Sequence, residues 1–377
     1  LPGGVQAVVG DQVRIANRDG YKTIVTLSPS RYCFDRARTK LSDYAWMGLS
    51  RFGPFDRESF PKRSPRILVV CPDTVAGKVS QSLKLFRDGI TSLPNSKYDG
   101  FTDTFHLTNP ELINLSVELF GIPSSDVAKL YRSTIEGALA RDSRYDAAFN
   151  IVLDEHSSLP DHLNPYLVAK SILLSNGIPV QEARVSTLTS STPQQQQYIF
   201  QNIATALYAK MGGVPWTVDH GETVDDELVI GIGSVELSGS RYEKRQRHVG
   251  ITTVFRGDGN YLLSNLSREC HYDDYPGVLR ESTVSVLRDI KNRNNWQPGE
   301  TVRIVFHAYK PLKNVEVADI IAASVSEVGG EQNIEFAFLT ISLDHSFTLI
   351  DRAQPGIKNY NGSIKGMFAP QRGLIIQ

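Results

Sequence analysis

Cysteine is scarce in this 377-residue chain. Cys33, Cys71 and Cys270 are too few and too scattered for a disulfide framework or a zinc site, and a reducing, cytoplasmic setting suits them best. No stretch approaches the ~18 consecutive apolar residues that span a bilayer, and no signal peptide is visible, so no membrane partner is expected. Excess charge is missing as well: 40 Lys and Arg face 41 Asp and Glu, a net of −1, which leaves any nucleic-acid binding to local clusters. A GxGxxG turn is absent, so a dinucleotide cofactor is not indicated. Acids are lacking at the end, where residues 353–377 hold Lys358, Lys365 and Arg372 but no Asp, Glu or His. What is present, 41% hydrophobic and 21% charged residues, describes a globular protein long enough for two domains. Other cationic clusters are Lys62, Arg63 and Arg66; Arg241, Lys244, Arg245 and Arg247; and Arg288, Lys291 and Arg293. A solvated face is the ordinary meaning of any one of them.

Hydrophobic periodicity divides the chain in three. Residues 1–60 carry short strand-like runs (VQAVVG, QVRIAN, TIVTLSP) and then RYCFDRARTKLSDYAWMGLSRFGPFD, polar with scattered aromatics, which reads as an irregular connector. Residues 61–222 alternate strands and helices. ILVVCPD is a strand, VAGKVSQSLKLFRDGI a helix stopped at Gly89, INLSVELFG a helix opened by Asn109-Pro-Glu, VAKLYRSTIEGALARD another, and YDAAFNIVLDE a strand. That order predicts a parallel, Rossmann-like sheet with its ligand near helix ends. In residues 223–377, ELVIGIGSVEL, RHVGITTVF and YLLSNLS are meandering strands with a hairpin turn at Asp258-Gly259. Helix LRESTVSVLRDIKNR, strand TVRIVFHAY, helix NVEVADIIAASVSEVG and strand IEFAFLTISL follow, the element order of an RNase H-like fold. The predicted class is therefore α/β, with both domains built on sheets.

The most informative stretch runs from Asn164 to Trp216. Asn164 is an N-cap, Pro165 suits the first turn, and Gly177 ends the helix. Tyr166 and Lys170 share a face of that helix. Gln181 follows the expected strand Ile178-Pro-Val, Thr187 lies in a polar insert, and Lys210 closes a second helix before Gly212-Gly213. Two lysines, an amide and an aromatic ring near helix ends suit a terminal phosphate with a base stacked above it. On spacing alone two solvated helices are the ordinary meaning of these residues.

The run Tyr166-x3-Lys170, Gln181 and Lys210-Met-Gly-Gly-Val-Pro-Trp resembles the MID domain of Argonaute proteins, whose pocket holds a guide's 5′ phosphate. GLSRFGPFD is similar to the segment leading into MID in many prokaryotic members, and PIWI, RNase H-like, follows MID in that family. The resemblance covers roughly residues 45–377. It implies that Tyr166 stacks on the first guide base, that Lys170, Gln181 and Lys210 bind phosphate oxygens with help from Thr187, and that Lys358, Lys365 and Arg372 contact guide backbone phosphates.

PIWI nucleases hold two metals with an Asp inside the first strand, an Asp ending the fourth, a loop Glu and a late acid or His. Here Gly233 stands at the first position and Ala308-Tyr309 at the second. Glu236 faces the other side of its strand, Asp225, Asp226 and Glu227 precede it as a linker, and Glu269, Asp273 and Asp274 lack partners. The resemblance thus implies an inactive PIWI domain without a catalytic metal, in a short or long-B-like prokaryotic Argonaute. Such a protein pairs a small guide, RNA or DNA with RNA favoured, to complementary target DNA, and defends against invading DNA through an effector of NADase or nuclease type. Members also hold Mg2+ at the 5′ phosphate with the terminal carboxylate, which is implied here only if the chain continues past Gln377. The alternatives are an active guide-dependent nuclease with rearranged acids, or a two-domain binder of a small phosphorylated ligand.

Overall fold

The computed structural model describes residues 23–28, 30–90, 98–189, 192–219, 226–237, 246–257, 259, 261–271, 274–308, 315–341, 348–358, 362–371 and 373–376; at 233–237, 246–253, 261–271, 308 and 315–317 it is the backbone that is described. Contacts divide the chain into two units: Arg31–Thr223 with Phe255–Leu262, and Leu1–Ser30 with Val224–Val254 and Leu263–Gln377. The expected strands VQAVVG and QVRIAN lie outside the described residues. TIVTLSP holds β1 (Ile24–Thr26), which belongs to the second unit.

The first unit begins with β2 (Arg31–Cys33), β3 (Leu41–Ser42) and α1 (Ala45–Phe52). The segment expected to be irregular is therefore structured. Its scattered aromatics fall at helical spacing, so Trp46, Leu49 and Phe52 all reach the domain core. The α/β body follows: β4 (Arg66–Pro72), α2 (Ala76–Asp88), α3 (Phe101–Thr104), β5 (Glu111–Val117), α4 (Ser124–Arg141), β6 (Ala147–Val152), α5 (Pro165–Ser175), β7 (Val180–Arg184), α6 (Val185–Thr189), α7 (Pro193–Lys210) and β8 (Thr217–Asp219). Four strands make a parallel sheet in the order β5-β4-β6-β7.

The first five residues of the expected helix INLSVELFG instead belong to strand β5, which ends at Val117. Its apolar residues alternate: Leu112 packs into one core, whereas Ile113, Leu115 and Val117 pack into the other. That period of two outweighs the helical spacing of its leucines once β4 offers a partner, from Arg66 opposite Glu111 to Pro72 opposite Val117. The same alternation divides every strand. Ile67, Val69 and Phe149 face α2, α3 and α7, and Leu68, Val70 and Ala148 face α4 and α5. All six residues of β6 are buried, as a strand covered on both faces requires. The first cationic cluster is structural here: Arg66 pairs with Asp142 at 2.9 Å and Glu111 at 3.3 Å, and Lys62 lies 3.6 Å from Asp146.

The second unit has β9 (Asp226–Leu237), β10 (Gln246–Arg256), β11 (Tyr261–His271), α8 (Tyr275–Asn294), β12 (Thr301–Ala308), α9 (Val315–Val328) and β13 (Asn333–Thr340). The short strands β14 (Ile357–Lys358), β15 (Ile364–Lys365) and β16 (Leu374–Ile376) follow. The sheet order β11-β10-β9-β12-β13, with β12 parallel to β9 and β13, is the RNase H-like arrangement the element order predicted. Asp226 and Glu227 are not linker. They start β9, where Asp226 accepts hydrogen bonds from Trp296 Nε1 at 2.7 Å and Asn294 Nδ2 at 2.6 Å, and Glu227 pairs with Arg303 at 3.3 Å. Asp225 lies outside the described residues. In the third cationic cluster Arg288 pairs with Glu327 at 2.6 Å and Lys291 donates to Val328 O at 2.9 Å, so those two groups are committed to holding α8 against α9.

Candidate anion site on the edge strand

Among the described residues strand β7 is an edge, paired with β6 on one side, and α5 and α7 flank it. The cap fixes the start of α5: Asn164 Oδ1 accepts from Tyr166 N at 3.0 Å, with Pro165 at the first position. Tyr166 and Lys170, one turn apart, then meet, with Lys170 Nζ 5.3 Å from the ring centroid. The expected strand start was two residues early, so Gln181 lies within β7 instead of after it. Helix α7 also starts earlier than its apolar run suggests, because Thr192 and Gln195 form a capping box ahead of it. Its other end carries Lys210, whose Nζ donates to Gln181 Oε1 and to Val180 O, both at 2.7 Å.

Electrostatics ties these groups together. The Lys210 ammonium is held below the ordinary lysine value of 10.5, first by burial and then by repulsion from Lys170, with Glu182 opposing. Glu182 is itself raised above the usual carboxylate value by burial, against the pull of Arg184, Lys170 and Lys210. Two ammonium groups close enough to repel, one of them partly desolvated, form a site that gains when an anion enters.

Beside it opens a cavity of about 430 Å3 lined by Gln181, Glu182, Arg184, Thr187, Ile199 and Asn202, among others. Thr187 reaches it because Asp154 accepts hydrogen bonds from the backbone and hydroxyl of Ser186, fixing α6 directly after β7. The structure thus brings Tyr166 to Lys170, Lys210 to Gln181, and Gln181 to Thr187. Sequence reasoning missed Arg184 and Asn202. Asn202 was legible in principle, since Ile199, Ile203 and Lys210 recur on one helical face once the capping box extends α7. Arg184 had no local signal.

In the second unit Lys358 and Lys365 are exposed on β14 and β15, a two-stranded ribbon in which Lys358 faces Ile364 and Ile357 faces Lys365. Arg372 lies outside the described residues. At the expected nuclease centre, β12 pairs Ala308 with Ile232, so Gly233 is the next residue along β9. The two strand positions are neighbours, and neither carries a carboxylate; Tyr309 and Asp273 lie outside the described residues. Among the described residues no three of His, Cys, Asp and Glu converge as metal ligands. Nor is any described helix long and apolar enough to cross a membrane.

The chain is similar to known proteins along its length. The Piwi domain family matches residues 158–373. An Argonaute protein of Cereibacter sphaeroides (strain ATCC 17025 / ATH 2.4.3) is 48% identical over 378 residues, covering 100% of this chain and 48% of that protein, so the chain spans about half the length of this relative. Among solved structures, Aa-Ago with externally bound siRNA superposes with a TM-score of 0.54 at 12% identity, over 84% of this chain and 40% of that one. Marinitoga piezophila Argonaute, in complex with 5′ OH guide RNA and target DNA, gives 0.51 at 14% identity, over 89% and 47%. Those structures share the fold, and the match over more than half of the residues settles the family: the chain belongs to the Piwi-domain proteins and is similar to the prokaryotic Argonautes among them.

Proposed function

We propose that this chain anchors the 5′ phosphate of a small guide, RNA in preference to DNA, and presents the guide for pairing with complementary DNA without cutting it. The observation that carries this is the convergence of Lys170, Lys210 and Gln181 on the open edge of β7, with the Tyr166 ring against Lys170. In this scheme the phosphate takes Lys210 from Val180 O and Gln181, and Lys170 moves off the ring toward the same oxygens. Tyr166 is freed to stack on the first base, and Thr187 contributes a hydroxyl. Lys358, Lys365 and Arg372 neutralise backbone phosphates further along, so that base pairing alone reads sequence. A Mg2+ shared with the phosphate would find the Glu182 carboxylate on the cavity wall as a protein oxygen; no step depends on it.

The absence of carboxylates at Gly233 and Ala308 supports a domain that binds a target and leaves it intact. Defence against invading DNA then falls to an associated effector of NADase or nuclease type. Incubation of guide-loaded protein with matched target DNA in Mn2+ should leave the target full length. Metal-dependent cleavage abolished by changing one acid would instead establish an active nuclease with rearranged acids.

The guide end should also respond to pH. The charged form of Lys210 is disfavoured in the free protein and favoured beside a phosphate, so binding takes up a proton wherever free Lys210 is neutral. Affinity for a 5′-phosphorylated RNA should therefore be full below the depressed value and fall as pH rises through it, beginning before 10.5. A 5′-hydroxyl RNA should show a shallower fall. Parallel curves for the two RNAs would count against phosphate anchoring.

A further inference from the structure

The structure assigns Asp56, the last residue of GLSRFGPFD, as the positioning residue that holds Lys210 in place. It rests on the guide-end site proposed above, and it concerns a residue that touches no part of that site. Asp56 Oδ1 accepts from the Tyr208 hydroxyl at 2.6 Å, and Oδ2 accepts from Val214 N at 3.0 Å. One carboxylate therefore grips the chain just before and just after Lys210. Backbone bonds from Phe55 N to Pro215 O at 3.0 Å and from Asp56 N to Val214 O at 3.4 Å run alongside.

The turn between these grips closes on itself through Gly212 N to Ala209 O at 2.9 Å and Gly213 N to Tyr208 O at 3.0 Å, but it makes these bonds back to α7 alone, and Asp56 ties its far side. Gly212 takes a φ of +91°, and Gly213 lies so close under the Tyr208 ring that a Cβ there would come within 2.3 Å of it. Tyr208 is anchored, fully buried between Phe60 and Phe105 with ring centroids 4.4 Å from each. Asp56 transmits that anchoring across the two glycines to Val214. With both ends fixed, Lys210 has its Nζ held on Val180 O and Gln181 Oε1. Burial raises the Asp56 carboxyl while its two donors lower it, so the fold bears the cost of a partly desolvated acid both of whose oxygens are bonded. Positional control of α7 is what such a group supplies there.

Alanine and asparagine separate positioning from simple stability. Asp56→Ala loses both acceptors. Asp56→Asn keeps one acceptor for Val214 N, and its amide can donate to the Tyr208 oxygen, because a hydroxyl both donates and accepts. The measurement is the affinity of the full chain for a ~20-nucleotide RNA with and without its 5′ phosphate, at a temperature where circular dichroism shows each variant folded. Alongside it, the Lys210 titration is followed in the guide-free protein by NMR of 13C-methylated lysines. Asp56→Ala should bring the two affinities within about threefold of each other and return Lys210 toward 10.5, the ordinary lysine value. Asp56→Asn should keep both properties. If Asp56→Ala does not fold, Tyr208→Phe removes one grip and should move both readouts in the same direction by a smaller amount. A folded Asp56→Ala or Tyr208→Phe protein with an unchanged Lys210 titration would overturn the assignment. A wild-type chain indifferent to the 5′ phosphate, whose Lys210 still shifts with Asp56→Ala, would overturn the guide-end site and leave the positioning role standing.

Discussion

Replacing Lys170 and Lys210 together by alanine should lower affinity for a 5′-phosphorylated guide RNA by about a hundredfold, and for its 5′-hydroxyl counterpart by far less. Each lysine would make a charge-assisted contact of ~1.5–3 kcal/mol, and about 1.4 kcal/mol is a factor of ten. The two are unequal in the free protein. Lys210 is partly desolvated and already bonded to Val180 O and Gln181 Oε1, so part of its gain on phosphate binding offsets bonds given up. Lys170 gives up its contact with the Tyr166 ring, 5.3 Å away. The single variants should thus each cost more than tenfold, with Lys170→Ala no weaker in effect than Lys210→Ala. Because the lysines repel one another, the double variant should lose less than the product of the singles. Equal affinities for the two RNAs in wild-type protein and all three variants would remove the site. A two-domain α/β protein binding some small phosphorylated ligand would then be the better description.

Phe86→Ala should destabilise the first unit by about 3–5 kcal/mol, the range for truncating a buried aromatic, and lower its melting temperature by roughly 10 °C. The ring joins four separate elements. It lies 5.1 Å from Phe101, 5.3 Å from Phe149, 5.9 Å from Phe200 and 6.4 Å from Tyr98, centroid to centroid, so truncation leaves a cavity walled by other aromatics. Phe149 and Phe200 belong to β6 and α7, so the collapse needed to fill that cavity would have to shift elements that frame the edge strand. Thermal unfolding followed by near-ultraviolet dichroism reports it directly. A loss under 1 kcal/mol would mean that the aromatic cluster is not the core of this unit.

Where sequence reading succeeded, one residue or one repeat carried the whole signal. Asn164-Pro165 set the start of α5, and the cap is present as a hydrogen bond from Tyr166 N to Asn164 Oδ1. Spacing of four put Lys170 against Tyr166, since an α-helix allows nothing else. The order of strands and helices after residue 223 was enough for the RNase H-like sheet, because short connections leave few ways to wind it.

Where it failed, two periods competed or a partner decided. INLSVELFG fits a helix by its leucines and a strand by its alternation, and only the free edge of β4 makes the strand. The connector with Trp46, Leu49 and Phe52 looked irregular until a core existed for those residues to enter. Asp226 and Glu227 looked like linker charges because Trp296, Asn294 and Arg303 are remote in sequence.

By itself, then, the sequence determined on which helices Tyr166, Lys170 and Lys210 sit, since that depends on spacing and caps within a few residues. Tertiary structure alone decided that Lys210 meets Gln181, that Arg184 and Asn202 share their cavity, and that Asp56 grips the turn between α7 and β8. Those contacts join residues up to 158 positions apart, and no local periodicity encodes a meeting that arises only when a sheet and its helices pack.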